Sequence, residues 1–307
     1  MNRMGRRIIV RIDDLGYTDI NNIGAFEVFD HGIGTAADVM LDTPGTEDAL
    51  RRLRDYPWLS VGWHTHFWGS PVLDPERVPS LMDPGGNGHF RSDLNRLKDG
   101  IRYEELLAEM RAQLDRCVSI LGKAPDTMEM MSPEDNPASR AKRQIAEEYG
   151  IVTDFSHHVR RDPETGKMGW SLPAPQWEDR KIFWMEMKPA YRDLYTDSIR
   201  EMGSYDPVKY YTEDRGGMME LPEDGVFGQA WHPGIVDYYM CRCGDQGPYA
   251  RNFLECRPLD MHALCSEEIK TWIRENRIEL MSFTDALYGR HDYQNHLRSI
   301  GSDLCVL

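Results

Sequence analysis

Basic residues are scarce in this chain. There are 36 Lys and Arg against 51 Asp and Glu, a formal charge of −15 over 307 residues. Such a balance argues against a phosphate backbone or an anionic membrane surface as partner. Long hydrophobic runs are missing too: nothing approaches the roughly 20 apolar residues that span a bilayer. The basic start Met1-Asn2-Arg3-Met4-Gly5-Arg6-Arg7 is not followed by an apolar stretch of the kind a signal peptide needs. The expected location is the cytoplasm, with no nucleic acid and no membrane as partner. Cysteine is sparse and poorly spaced for a metal. The six lie at 117, 241, 243, 256, 265 and 305, and the cluster 241–265 matches no common zinc ribbon. Free thiols are expected. Internal repeats and low-complexity tracts are absent as well. What remains is a chain long enough to bury a sizeable core and suited to a small-molecule substrate. A homo-oligomer is compatible with that description.

Strand and helix patterns alternate along most of the sequence. Arg7-Ile8-Ile9-Val10-Arg11-Ile12 is short and β-branched, as a strand near a sheet centre should be. A helix is expected to start near Thr18 or Asp19, with Ile20, Ile23, Phe26 and Phe29 at helical spacing and Gly32 as its stop. Further strands are expected at 37–41, 59–63, 126–131, 152–154, 226–230 and 279–283. Helices are expected over 46–54, 138–149 and 266–275. An amphipathic helix is marked by Leu106, Leu107, Met110, Leu114, Cys117, Val118 and Leu121. The long loop 69–100 is rich in Gly, Pro and Asp, and loops of that length tend to be functional or disordered. Between about 157 and 222 the pattern breaks down, with one strand candidate at Ile182–Met187. That stretch reads as an insertion within a single domain of residues 1–307. The β-α order implies a parallel sheet with helical crossovers, either a barrel or a doubly wound sheet.

Chemistry-bearing residues fall where these strands end, the side on which parallel α/β proteins build their active sites. Asp13-Asp14 follows the first strand, and two adjacent acids suit a metal ligand beside a general base. An Asx turn with a helix cap would use the same residues. His64, after the third strand, complements them, since imidazole and carboxylate together ligate divalent ions well. His66 shares strand parity with His64, so it could point to the same side, contact substrate or cap the loop. His232, in Trp231-His232-Pro233-Gly234, follows a later strand and could protonate a leaving amine. Among the aromatics near these positions (Trp63, Phe67, Trp68, Phe90 and Trp231), Trp68 and Phe90 lie in loops and are the better candidates for stacking on a sugar ring. Arg160, Arg161, Lys188, Tyr191, Arg192 and Tyr195 of the inserted segment could cover the pocket and recognise an anionic group, or form a solvated surface.

These segments, in this order, resemble the ChbG/YdjC-like carbohydrate deacetylases. Ile9-Val10-Arg11-Ile12-Asp13-Asp14-Leu15-Gly16 is similar to that family's opening N-A-D-D-F-G strand. Asn21-Asn22-Ile23-Gly24 through His31-Gly32-Ile33-Gly34-Thr35 is similar to its N-x-G-I…H-G-I-V-T-S segment. Val61-Gly62-Trp63-His64 resembles V-G-x-H. Gly69-Ser70-Pro71-Val72 with Val78-Pro79-Ser80-Leu81-Met82-Asp83 resembles G-x-P-L…V-P-S-L-x-D. Trp231-His232-Pro233-Gly234, the stretch Arg257 to Leu264 and the stretch Ile278 to Leu287 are similar to its H-P-G, R-x-x-E-L-x-x-L and closing strand. The likeness covers most of the chain outside 157–222.

The resemblance implies an α/β, (β/α) barrel-like deacetylase fold and a divalent metal, Zn or Mg, that polarises an acetamide. It implies Asp13 as general base, Asp14 and His64 as metal ligands, and His232 as candidate acid. His66, Trp68, Phe90 and Arg257 would bind substrate. The chain departs from the family in one place. A D-x-H-x-H-x-H run that carries a third histidine ligand reads here Met128-Glu129-Met130-Met131-Ser132-Pro133-Glu134-Asp135-Asn136-Pro137. Methionine is a poor ligand for hard or borderline ions. Glu134 is the expected replacement, with Glu129 and His66 as alternatives. The implied activity is metal-dependent hydrolysis of an amide C–N bond, the substrate being an N-acetylated sugar or oligosaccharide. The rivals are hydrolysis of a different small amide and metal-free carbohydrate binding without catalysis.

Overall fold

A computed structural model describes residues 6–91, 100–128, 135–162, 164–185, 205–238, 240 and 248–306, except for the side chains of 248–253. Its centre is the strand β1 (Arg7–Leu15), in which Ile8, Ile9, Val10 and Ile12 are all fully buried. A strand covered on both faces reads as a continuous apolar run rather than an alternating one, which is why this segment stands out in the sequence. Its other strands in chain order are β2 (Ala36–Val39), β3 (Ser60–Trp63), β4 (Thr127–Met128), β5 (His157–Arg161), β6 (Met168–Trp170), β7 (Ile182–Met185), β8 (Val226–Trp231) and β9 (Glu279–Leu280).

The sheet runs β4-β3-β2-β1-β8-β7-β5-β6, with β9 also pairing with β1, and every pairing is parallel except β5 with β6. β8 lies along β1 from Arg7↔Val226 to Ile12↔Trp231. β9 and β2 divide its remaining length, at Arg7–Ile8 and Arg11–Leu15 respectively. The result is an α/β fold with a mostly parallel central sheet. The sheet is not closed, so the barrel-like order expected from the sequence does not complete a barrel.

The segment 157–222, read from the sequence as an insertion, carries regular strands. It contributes β5, β6 and β7 to this same sheet, β7 directly beside β8. Charged residues concealed the pattern: in His157-His158-Val159-Arg160-Arg161 only His157 and Val159 are buried, so the apolar signal reduces to a single valine. Lys188, Tyr191, Arg192 and Tyr195 lie outside the described residues, and Arg161 pairs with Glu220 at 2.6 Å.

Helices α1 (Asp19–His31), α2 (Thr46–Leu53), α3 (Tyr103–Leu121), α4 (Pro137–Tyr149), α5 (Pro207–Thr212), α6 (Pro248–Leu264), α7 (Glu267–Glu275), α8 (Phe283–Tyr288) and α9 (Asp292–Ser299) accompany the sheet. α3 buries Leu106, Leu107, Met110, Leu114 and Cys117 of the stripe expected of it, while Val118 is exposed and Leu121 half-buried, and Gly122 closes it in the left-handed conformation. Thr18 caps α1, its hydroxyl accepting from the Asn21 amide. The expected face of α1 is only half buried: Phe26 and Phe29 are inside. Ile20 and Ile23 are 45% and 49% exposed, while Asn21 and Asn22 are buried. Asn22 is inside because it stitches the strand-end turn: it accepts from the Gly16 amide and donates to the Gly45 carbonyl and Asp48. Buried polar groups persist where they are bonded, and here that requirement overrides apolar spacing. Cys117, Cys256, Cys265 and Cys305 are free thiols. Cys241 and Cys243 lie outside the described residues. Among the described residues, no helix is long and apolar enough to cross a membrane.

Candidate active site

Asp13 and Asp14 are neighbours, and in a regular strand their side chains would point to opposite faces. The backbone removes that conflict. The register between β1 and β2 shifts between Ile12 and Leu15, and Asp14 adopts a left-handed φ of 58°. Aspartate tolerates that region better than most residues, and such outliers gather at functional sites. Both carboxylates therefore sit in one buried cluster at the carboxyl end of β1.

Asp13 accepts a two-pronged hydrogen bond from Arg11, Nε to Oδ1 at 2.6 Å and Nη2 to Oδ2 at 2.7 Å. Burial pushes the Asp13 carboxyl up to about 6, with Arg11 and His64 opposing the rise. Asp14 receives Arg257 Nη2 on Oδ2 at 2.5 Å. Burial works against its ionisation, yet Arg257, His64 and His232 together hold it well below the usual carboxylate range.

His64 emerges just past β3. Its Nδ1 lies 2.9 Å from Asp38 Oδ2, and its Nε2 lies 3.0 Å from Asp14 Oδ1. A carboxylate behind Nδ1 places the ring proton there and turns the Nε2 lone pair toward Asp14, the arrangement in which imidazoles ligate metals. Asp14 Oδ1 is a buried acceptor with no hydrogen bond. Two acceptors at this distance need a positive charge between them, either a second ring proton or a cation. A divalent ion suits that requirement, so these residues fit the metal that the resemblance implies.

Asp38 is a member of this cluster that motif reasoning missed. It is an acid in the centre of the short buried strand β2, where carboxylates are costly unless paired. That position was the available signal. The site also explains the glycine before Trp63: Gly62 is in register with Asp38, and a Cβ there would collide with Asp38 Oδ1. Gly62→Ala should therefore displace the carboxylate behind His64 and weaken divalent-metal binding by about 10–100-fold, the cost of losing such an outer partner. Calorimetric titration with Zn²⁺ would check this, and unchanged affinity would remove Asp38 from the site.

His66 does not extend the strand, which ends at Trp63. Its amide donates to the His64 carbonyl at 2.9 Å, a tight turn that folds it back onto His64, ring centroids 4.2 Å apart. Trp68 stacks on His66 at 4.7 Å with 22° between the planes, and is 40% exposed. Its edge meets Tyr17 at 5.6 Å. The loop is held from below by Asp42, whose Oδ2 accepts from the Trp68 and Gly69 amides at 2.7 and 2.8 Å. Burial pushes Asp42 up to about 7 despite these donors.

Phe90, expected with Trp68 as a stacking platform, is only 5% exposed and packs edge-on against Phe67 in the core. It offers no free face to a sugar. Arg257, expected among the substrate-binding residues, is fully buried behind Asp14 and beside the Tyr17 ring. It serves the carboxylate instead. Glu134 and Glu129 lie outside the described residues, and Met128 is buried opposite Trp63 where β4 pairs with β3.

His232 follows β8, with Nε2 3.9 Å from Asp13 Oδ2. Its backbone amide donates to Asp260 Oδ2 at 3.0 Å, and Tyr205 donates its hydroxyl to the other oxygen of Asp260. Burial lowers His232 to about 3, with Asp14 opposing that fall, so its imidazole is neutral near pH 7. Gly234 lacks a left-handed φ. It is glycine because a Cβ would collide with the Asn21 side chain, where the His-Pro-Gly turn meets α1.

An open, mostly parallel α/β sheet with a buried Asp–His–Arg cluster at its carboxyl edge is the class of protein that fold and site define. The chain belongs to the YdjC-like protein family, whose profile matches residues 7–275. It is 39% identical over 281 residues to a carbohydrate deacetylase of Brevibacillus brevis, covering 91% of this chain and 99% of that one. It is 38% identical over 117 residues to a carbohydrate deacetylase of Geobacillus stearothermophilus, covering 38% of this chain and 45% of that protein. In structure it is similar to a candidate cellobiose-phosphate cleavage protein of Enterococcus faecalis. That likeness has a TM-score of 0.62 at 20% identity and covers 92% of this chain and 99% of that one, which bears on the fold alone.

Proposed function

We propose that this chain is a metal-dependent hydrolase of amide C–N bonds that deacetylates an N-acetylated sugar or oligosaccharide. The observation that carries the reading is the unbonded, buried Asp14 Oδ1 facing His64 Nε2, with Asp38 behind the ring and a second carboxylate, Asp13, alongside. Asp14 and His64 would hold a divalent ion. When bound, such an ion acts as a Lewis acid on the acetamide carbonyl.

The remaining chemistry belongs to the chain. Asp13 is raised by burial yet kept ionisable by Arg11, which suits a carboxylate that takes a proton from an attacking water at neutral pH. His232 enters the reaction neutral and acts as an acid only after it has received a proton. Its Nε2 faces Asp13 Oδ2, the group from which that proton would come. Asp260 fixes its backbone, so the ring is presented by a held turn. Trp68 offers the exposed aromatic face on which a sugar ring can stack.

The test is acetate release from N-acetylated chito-oligosaccharides by the purified protein, with and without prior chelation. Chelation should abolish release, and Zn²⁺ or Mg²⁺ should restore it. Release that survives complete metal removal would overturn metal dependence. Metal-loaded protein that binds the sugar without releasing acetate would make it a binding relative.

A further inference from the structure

We infer that His66 supplies the third protein ligand of this metal site, in place of any residue following β4, and so couples the ion to the Trp68 platform. The inference rests on the metal-dependent reading above and specifies which residues of this chain complete its site.

One donor atom each from Asp14, His64 and His66 lie within 4.8 Å of one another. Donors sit about 2.0–2.2 Å from Zn²⁺, so two ligands of one tetrahedral ion are about 3.4 Å apart. Separations within 4.8 Å need to close by at most roughly 1.4 Å to reach that spacing. The turn from the His64 carbonyl to the His66 amide is what brings the two imidazoles together, since a continued strand would carry them about two residues' rise apart.

A second donor set, Asp13, Asp38 and His64, also lies within 4.8 Å. Arg11 decides between them. Its guanidinium touches Asp13 at 2.6 Å and Asp38 at 3.4 Å, so a cation there would sit against a fixed positive charge. In the first set Arg257 engages Asp14 through Oδ2 and leaves Oδ1 without a donor. In the sequence the family's histidine run has given way to methionine, and Met128 is buried in β4 opposite Trp63 of β3. Thioether is a poor partner for a borderline ion. One carboxylate and two imidazoles is instead a donor set known from catalytic zinc sites.

The relocation has a consequence. His66 carries Trp68 on its face, and Asp42 holds the Trp68 and Gly69 amides from beneath. Metal capture by His66 therefore fixes the ring on which the indole rests. An ion would order the substrate platform as well as the reacting group.

The experiment is Zn²⁺ titration by calorimetry of the metal-free wild type, His66→Ala, His66→Gln and Glu134→Gln. Thermal melts establish that each is folded, and His66→Gln keeps polarity and bulk without the imidazole. Both His66 variants should lose more than the roughly 10–100-fold that removal of an outer partner costs. Glu134→Gln should lose less than either. Zn²⁺ should change tryptophan fluorescence in the wild type and not in Trp68→Phe. Wild-type affinity in both His66 variants, or a larger loss in Glu134→Gln, overturns the inference while leaving metal dependence standing. A wild type that takes up no divalent ion overturns both. A fluorescence change that persists in Trp68→Phe breaks the coupling to the platform.

Discussion

Asp13→Asn should abolish most turnover, lowering kcat by about 10²–10⁴-fold, the range a positioned general base contributes, and should leave divalent-metal content unchanged. The split follows from how the two aspartates are held. Asp13 is gripped by Arg11 through both oxygens, and it is the carboxylate pushed upward by burial. Asp14 presents an oxygen without a donor to His64 and is kept ionised by Arg257. Asparagine at 13 retains shape and one acceptor, so the neighbouring backbone at Asp14 has no reason to move. Acetate release and metal analysis on the same preparation check the outcome. Loss of metal together with activity would exchange the roles of the two aspartates.

Arg257→Ala should destabilise the metal-free protein by about 3–5 kcal/mol, the usual cost of removing one partner from a buried ion pair. Arg257 is fully buried and lies 2.5 Å from an Asp14 carboxylate that is itself inaccessible. Truncation leaves that carboxylate charged and unpaired in the interior. The sign of a second effect follows directly: a divalent ion supplies positive charge to the same carboxylate, so saturating Zn²⁺ should recover part of the loss. Urea unfolding with and without the ion measures both. A deficit under about 1 kcal/mol would show that water reaches Asp14 freely, against the buried pairing.

Much of the fold was legible because it is written in local pattern. β1 and β8 are apolar runs, α3 carries a stripe that is buried as far as Cys117, and Gly122 and Gly150 mark helix ends with left-handed conformations. Where polar bonding or exposure overrides apolar spacing, legibility fails. α1 buries two asparagines and exposes two isoleucines, and β5 and β6 are too charged and too peripheral to announce themselves as strands. Openness of the sheet could not be read either, since parallel β-α units close into a barrel or spread into an open sheet with the same local pattern.

Asp13, Asp14, His64 and His232 could be singled out from the linear sequence because each follows a recognisable strand, and strand ends in parallel sheets converge on one rim. Composition alone was enough to mark the chain as acidic and short of any long apolar span. Tertiary structure decided the partners. Arg11, Asp38, Arg257 and Asp260 bond to the four from positions between 2 and 243 residues away. It also decided that Phe90 packs inward, that Trp68 stays exposed, and that His66 turns back onto His64. The physical reason is one of range. Strand and helix propensity act over a few residues, whereas burial and pairing of charge depend on which distant segments the sheet order places side by side.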